Sequence, residues 1–169
     1  MEKEDHPKVN QVTVEEASRP KIGIGICWYN EDGQIICGKR IGSKIGSYQF
    51  PGGYLEFGET FEECASRELQ EEVGIHVPPE SIKYVTTINV RRTDHNYHNV
   101  GIIMSTKIKK DIKMINSEPE KNEGWQWMLW EDFINQEDLF YPVHVIVQQG
   151  ITKIEQFHYW FYSVSIKNI

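Results

Sequence analysis

Cysteine is scarce: the 169-residue chain has three, Cys27, Cys37 and Cys64. Their number is odd, and their spacing matches neither a zinc site nor a disulfide framework. Each sits among apolar neighbours and reads as a small buried hydrophobe, which suits a reducing compartment. Long apolar runs are also missing, since none approaches the ~20 residues a membrane-spanning helix needs. Positive charge is in deficit: 18 Lys and Arg stand against 25 Asp and Glu, a formal net charge of −7. Nucleic-acid binding draws on counterion release by Lys and Arg, so no long nucleic acid is expected as a partner. A small phosphate ligand stays open, because a metal ion can carry the positive charge. The N-terminal run MEKEDHPKVN is polar and mixed in charge, unlike a secretory or transit signal. A cytoplasmic location is the expectation.

What is present fits one domain with a real core. Residues 1–20 carry few apolar side chains and read as a flexible arm. The folded domain then covers 21–169, with 151–169 as a C-terminal extension whose aromatic and β-branched residues suit an added strand. The alternating run 21–29 reads as a strand, Asn30-Glu31-Asp32-Gly33 as a turn, and 34–40 as the return strand. A Gly/Ser-rich loop covers 41–48. Residues 60–73 read as a helix, opened by the capping box of Thr60 and Glu63 and stopped by Gly74. Two longer strands, 82–91 and 100–108, flank a loop at 92–99. A charged loop at 109–124 precedes a strand at 125–130. Trp125 and Trp127 share one face of that strand and read as core. Residues 131–149 read as mostly helical, interrupted at Pro142. Mixed strands with separated helices predict an α/β sandwich.

The informative run is Arg67-Glu68-Leu69-Gln70-Glu71-Glu72. At 3.6 residues per turn, Glu68, Glu71 and Glu72 are neighbours on one helix edge, bordering the face of Leu69 and Val73. Like charges so placed repel, more strongly as the dielectric falls toward the core. A divalent cation turns that repulsion into ligation, because carboxylate oxygens are what Mg²⁺ or Mn²⁺ prefers. Three clustered glutamates alone are commonly just a solvated helix face, so the flanking residues decide.

Those residues read Gly53-x5-Glu59-x7-Arg67-Glu68-Leu69-x-Glu71-Glu72-x-Gly74-Ile75. The pattern resembles the Nudix box with every fixed position filled, a chance match on the order of 10⁻⁹ per starting position. The resemblance implies a Nudix-type α/β/α sandwich with a mixed sheet and a catalytic loop–helix–loop. It implies Mg²⁺ (Mn²⁺ as a substitute) held by Glu68 and Glu72, assisted by Glu71 and by the close backbone approach at Gly53. Glu59 and Arg67 would support the cluster. The segments 38–40, 49–59, 117–125 and 139–141 extend the likeness to a eukaryotic, MutT-related nucleotide diphosphatase subgroup in which dimers are usual.

The activity implied is hydrolysis of a nucleoside triphosphate to a monophosphate and pyrophosphate, with sanitising of modified purine nucleotides as its use. Hydrolysis of an isoprenoid diphosphate and a non-catalytic nucleotide sensor are the rival readings. Candidate substrate contacts are Lys39 and Arg40 for phosphate, Phe140 and Tyr141 for stacking on a base, Glu120 as a further acid, and His98 near the pocket. For each the residues leave a structural alternative open: a solvated strand end, a core aromatic pair, an exposed loop charge, a surface histidine.

Overall fold

The computed structural model describes residues 19–159. Strand β1 (Lys21–Tyr29) falls where the alternation places it, and strand β2 (Gln34–Arg40) is the expected return strand after the turn at 30–33. Then follow β3 (Tyr48–Gln49), helix α1 (Phe61–Val73), β4 (Lys83–Arg92), β5 (Tyr97–Lys107) and β6 (Asn122–Leu129). Three short helices complete the order: α2 (Trp130–Ile134), α3 (Tyr141–Gln148) and α4 (Gln156–Tyr159).

The sheet runs β3–β2–β1–β5–β4, with β6 also on β2. β1 lies parallel to β5, while the other named pairs are antiparallel. Alternation along β1 sends Ile24, Ile26 and Trp28 toward α1, where they meet Cys64, Ala65, Leu69 and Val73. Cys27 points the other way, into a core closed by Trp130, Phe133, Val143 and Ile146 from α2 and α3. The result is an α/β/α sandwich with a mixed sheet, as the sequence predicts.

One irregularity in the sheet positions everything that follows. β1 and β2 share only the register Tyr29↔Ile35 before they part. Residues 51–55 fill the opening: Ile24 N–H donates to Gly53 O (2.8 Å), Ile26 N–H to Pro51 O (2.9 Å), and Leu55 N–H to Ile22 O (3.1 Å). Gly52 makes this possible. Its φ of 147° disfavours other residues, and a Cβ there would sit 2.0 Å from Ile24 O. Gly52→Ala is expected to cost about 2 kcal/mol or more, lowering the melting temperature by about 4–8 °C in a chain of this size. An unchanged melting curve by circular dichroism would contradict that.

α1 has the ends its sequence signals. Thr60 Oγ1 accepts from Glu63 N–H (3.1 Å), and Glu63 Oε2 accepts from Thr60 N–H (2.8 Å). Gly74 takes the left-handed conformation (φ 75°) at the other end. The last carbonyls are met from the charged loop and from β6: Ile115 N–H donates to Val73 O, Ser117 N–H to Glu72 O, and the Trp125 indole N–H to Glu72 O (2.9 Å).

Several sequence expectations need correction. β3 is an addition to the expected elements, because two residues at the end of a Gly/Ser-rich stretch carry no periodic signal. The loop expected at 92–99 shrinks to a 3₁₀ turn, Thr93–His95, closed by Asn96 in the left-handed region, and the strands run to meet it. Pro142 does not interrupt a helix but opens α3, where its missing N–H costs nothing. Within the described part of 151–169 there is a helical turn rather than the added strand; residues 160–169 lie outside the description, as does 1–18 of the expected arm.

Candidate active site

A cleft of about 750 Å³ opens beside residues 51–55. One end is charged, lined by Glu56, Arg67, Glu68, Glu71, Glu72, Glu118, Arg40, Lys44 and Lys121. The deep end is apolar, formed by Ile88, Val90, Ile103, Phe140, Val143 and Ile146.

Arg67 organises the charged end. Its Nε donates to Glu59 Oε1 (2.7 Å) and its Nη2 to Glu59 Oε2 (3.0 Å), a two-point fork. The same Nη2 reaches Tyr54 O (3.1 Å). Nη1 bridges Glu68 Oε1 (2.7 Å) and Glu71 Oε2 (3.2 Å). Glu59 Oε2 in turn accepts from Glu56 N–H (3.0 Å). The guanidinium holds the Glu59 carboxyl down to about 2, helped by the Glu56 N–H. One cation thus ties the loop to the helix and spaces two glutamates of the cluster.

The three glutamates differ in environment. Glu71 is more than half exposed. Glu68 is buried, with 9% of its surface accessible. Burial raises its pKa above the usual value, with Arg67 opposing and Glu71 and Glu118 adding to the rise. Glu72 Oε2 accepts from Gly52 N–H (2.8 Å). Burial pushes Glu72 up to about 8, against that hydrogen bond and with the charges of Glu68 and Glu118 adding to it. Gly53 faces this pair so closely that a Cβ would fall 2.1 Å from Glu68 Oε1.

As these side chains stand, no three acidic, imidazole or thiol groups among the described residues converge on one cation position. Arg67 and Gly52 N–H account for it, each holding a carboxylate aside. The donor set still fits a hard divalent ion. It is all oxygen, and desolvation raises the pKa of both Glu68 and Glu72, a cost that a cation would relieve.

The other sequence candidates divide. Arg40 lines the cleft, its Nη1 donating to Gln49 Oε1 (2.7 Å) and its guanidinium lying 5.2 Å from the Phe140 ring centre. Phe140 lines the cleft, but Arg40 covers one of its faces. Tyr141 lies outside the lining, under Arg92 at 4.7 Å, because α3 begins there and turns it away. Lys39 pairs with Glu123 (3.6 Å), on the opposite side of β2 from Arg40 by strand alternation. His98 is exposed against Asn89 Oδ1 (3.0 Å), one position out of phase with the cleft-facing residues of β5. Glu120 is exposed, and Glu118 is the acid of that loop that reaches the cleft. Two glutamates two residues apart in a loop carry no periodicity that would tell them apart.

A family model described as the NUDIX domain matches residues 19–147. The chain belongs to the Nudix family. An RNA pyrophosphohydrolase of Acinetobacter baylyi is 33% identical over 129 residues, 67% of this Nudix chain and 74% of that protein. One from Mannheimia succiniciproducens is 29% identical over 143 residues. That match spans 76% of this chain but 66% of the relative, just under two thirds of its length. Among solved structures, a MutT Nudix hydrolase of Burkholderia pseudomallei superposes with a TM-score of 0.66 at 22% identity. It covers 78% of this chain and 98% of that one, and at this identity the likeness concerns the fold. The relatives named here are bacterial, so the Nudix assignment stands while the eukaryotic subgroup gains no support from them.

Proposed function

We propose that the chain hydrolyses the diphosphate linkage of a nucleoside triphosphate, releasing a nucleoside monophosphate and pyrophosphate. The observation that carries this reading is the pairing of Glu72, held by Gly52 N–H (2.8 Å), with buried Glu68 in the lining of an organic-sized cleft. Two such carboxylates side by side are costly unless a cation and phosphates complete the site. Glu68 and Glu72 would hold the metal with Glu71 assisting, and Gly53 would leave room at the backbone. Mg²⁺ is the expected ion. When bound it supplies charge to neutralise phosphate oxygens and acidify a water.

The chain's own groups then divide the work. Glu59 and Arg67 hold the cluster in place. Glu118 supplies a further acid from outside the helix, the role first considered for Glu120. Arg40, Lys44 and Lys121 face the charged end and suit distal phosphates. Attack of water on phosphorus breaks one P–O bond, and pyrophosphate leaves with the bridging oxygen. Lys39, Tyr141 and His98 lie outside the cleft lining and take no part in this reading.

A second reading takes the 5′-triphosphate end of an RNA as substrate, favoured by the names of the bacterial relatives. Pyrophosphate release from the common nucleoside triphosphates and from a 5′-triphosphorylated oligonucleotide separates the two. Faster turnover of the free nucleotides supports the first reading, and turnover of the oligonucleotide alone overturns it. Chelation by EDTA is expected to abolish activity and added Mg²⁺ to restore it; activity that survives chelation contradicts the metal role. A homodimer in a cytoplasmic setting belongs to the same proposal. Sedimentation velocity tests the dimer, and the three unpaired, buried thiols support a reducing environment.

A further inference from the structure

The deep end of the cleft contains one polar side chain whose hydrogen bonding is incomplete. Alternation along β5 brings Tyr97, Asn99, Gly101 and Ile103 to the cleft. Lys21↔Asn99 and Gly23↔Gly101 are registered pairs, so Asn99 stands beside a glycine-floored patch of β1. Its amide fills the space over Gly23, where a Cβ would come within 2.8 Å of Asn99 Nδ2. Asn99 is 91% buried, with 9% of its surface accessible. Nδ2 donates to the Tyr97 hydroxyl (3.1 Å), and Oδ1 has no partner.

An orphaned buried acceptor is destabilising, and most buried polar groups avoid it. Around Asn99 the walls are Ile88, Val90 and Ile103, and Ile88 fills the space above Gly101 so closely that a Cβ there would lie 2.8 Å from it. A leucine at 99 would suit those walls better than an amide. Tyr97 completes the polar pair. Its hydroxyl accepts from Asn99 and keeps its own hydrogen free to donate, since burial holds the phenol protonated. The pair therefore offers one acceptor and one donor.

We propose that Asn99, oriented by Tyr97, is the residue that selects the organic half of the substrate, accepting a hydrogen bond from an N–H on the edge of a nucleobase. The inference rests on the diphosphate reading above and narrows it. A base with an amide-like edge offers both an N–H for Asn99 Oδ1 and an acceptor for the Tyr97 hydroxyl. An isoprenyl chain offers neither and would leave the acceptor buried and unpaired, the situation in which binding sites discriminate most sharply.

The test compares wild type, Asn99→Leu and Tyr97→Phe in the full chain with Mg²⁺. The substrates are the four deoxynucleoside triphosphates, abasic deoxyribose 5-triphosphate, and geranyl diphosphate. For Asn99→Leu the ratio of kcat/KM on the best nucleotide to that on the abasic triphosphate is expected to fall ten- to hundredfold, mainly through KM. Tyr97→Phe is expected to shift the same ratio less, in the same direction. The melting temperature of Asn99→Leu should equal or exceed that of wild type, which a merely structural asparagine would not allow. An unchanged ratio in both variants overturns the role of Asn99 while leaving nucleotide hydrolysis standing. A wild type that turns over geranyl diphosphate but no nucleotide overturns both.

Discussion

Glu72→Gln is expected to lower turnover at least 10²-fold while raising the thermal stability of the metal-free protein at neutral pH. The loss follows from removing a negative oxygen that a cation needs, and Glu68→Gln should lose as much. The stability gain follows from the direction of the Glu72 shift. Its carboxyl titrates near 8 in the folded chain against an ordinary 4.5, so the folded state binds the proton more tightly. Below pH 4.5 both states are protonated and nothing is lost. As pH rises from 4.5 toward 8 the wild type is progressively destabilised, and above 8 the full cost applies. Glutamine carries no such charge. The variant should melt with the wild type at pH 4 and above it at pH 8, both in EDTA. Saturating Mg²⁺ should favour the wild type instead. Matching melting curves at pH 8, or full turnover by either variant, would contradict the assignment.

Arg67→Met is expected to cost about 3 kcal/mol of stability, because it strands Glu59 and Glu68 without their cation. For a chain of this length that is about 6–12 °C in melting temperature. Turnover should fall too, since Glu68 and Glu71 lose the guanidinium that spaces them. The pH dependence has the opposite sign to that of Glu72. Glu59 is held down to about 2, so its pairing stabilises the fold fully above pH 4.5 and is lost as pH falls through 2. The gap between wild type and variant should therefore narrow across that range. A gap that is constant from pH 6 to pH 2 would assign the effect to lost packing instead.

The charged half of the site was legible in the sequence because it is local. A capping box, a helix of one period and a terminating glycine set the phase of α1, and phase alone decides that Glu68 and Glu72 share an edge with Leu69. The same holds for β1, whose alternation sends Ile24, Ile26 and Trp28 to the face of α1. Legibility failed where chain segments distant in sequence meet. Tyr141 faces Arg92, and Glu118 rather than Glu120 enters the cleft, because loop paths are set by contacts such as Ser117 N–H to Glu72 O. His98 shows a narrower failure. Starting the strand at 100 instead of 97 hid the alternation that places Tyr97 and Asn99 on the cleft side and His98 off it.

The parting of β1 from β2 also governs how the loop at 51–55 moves. Residues 51–55 hold the outer edge of the central strand, so the loop cannot swing open without freeing the amides of Ile24 and Ile26. In hydrogen–deuterium exchange those two amides, together with that of Leu55, should exchange at the slow rate of the sheet interior and speed up together only when the whole domain unfolds. Substrate would then enter a frame whose wall at 51–55 is already rigid, leaving adjustment to lining segments outside that wall, such as the turn at 93–96.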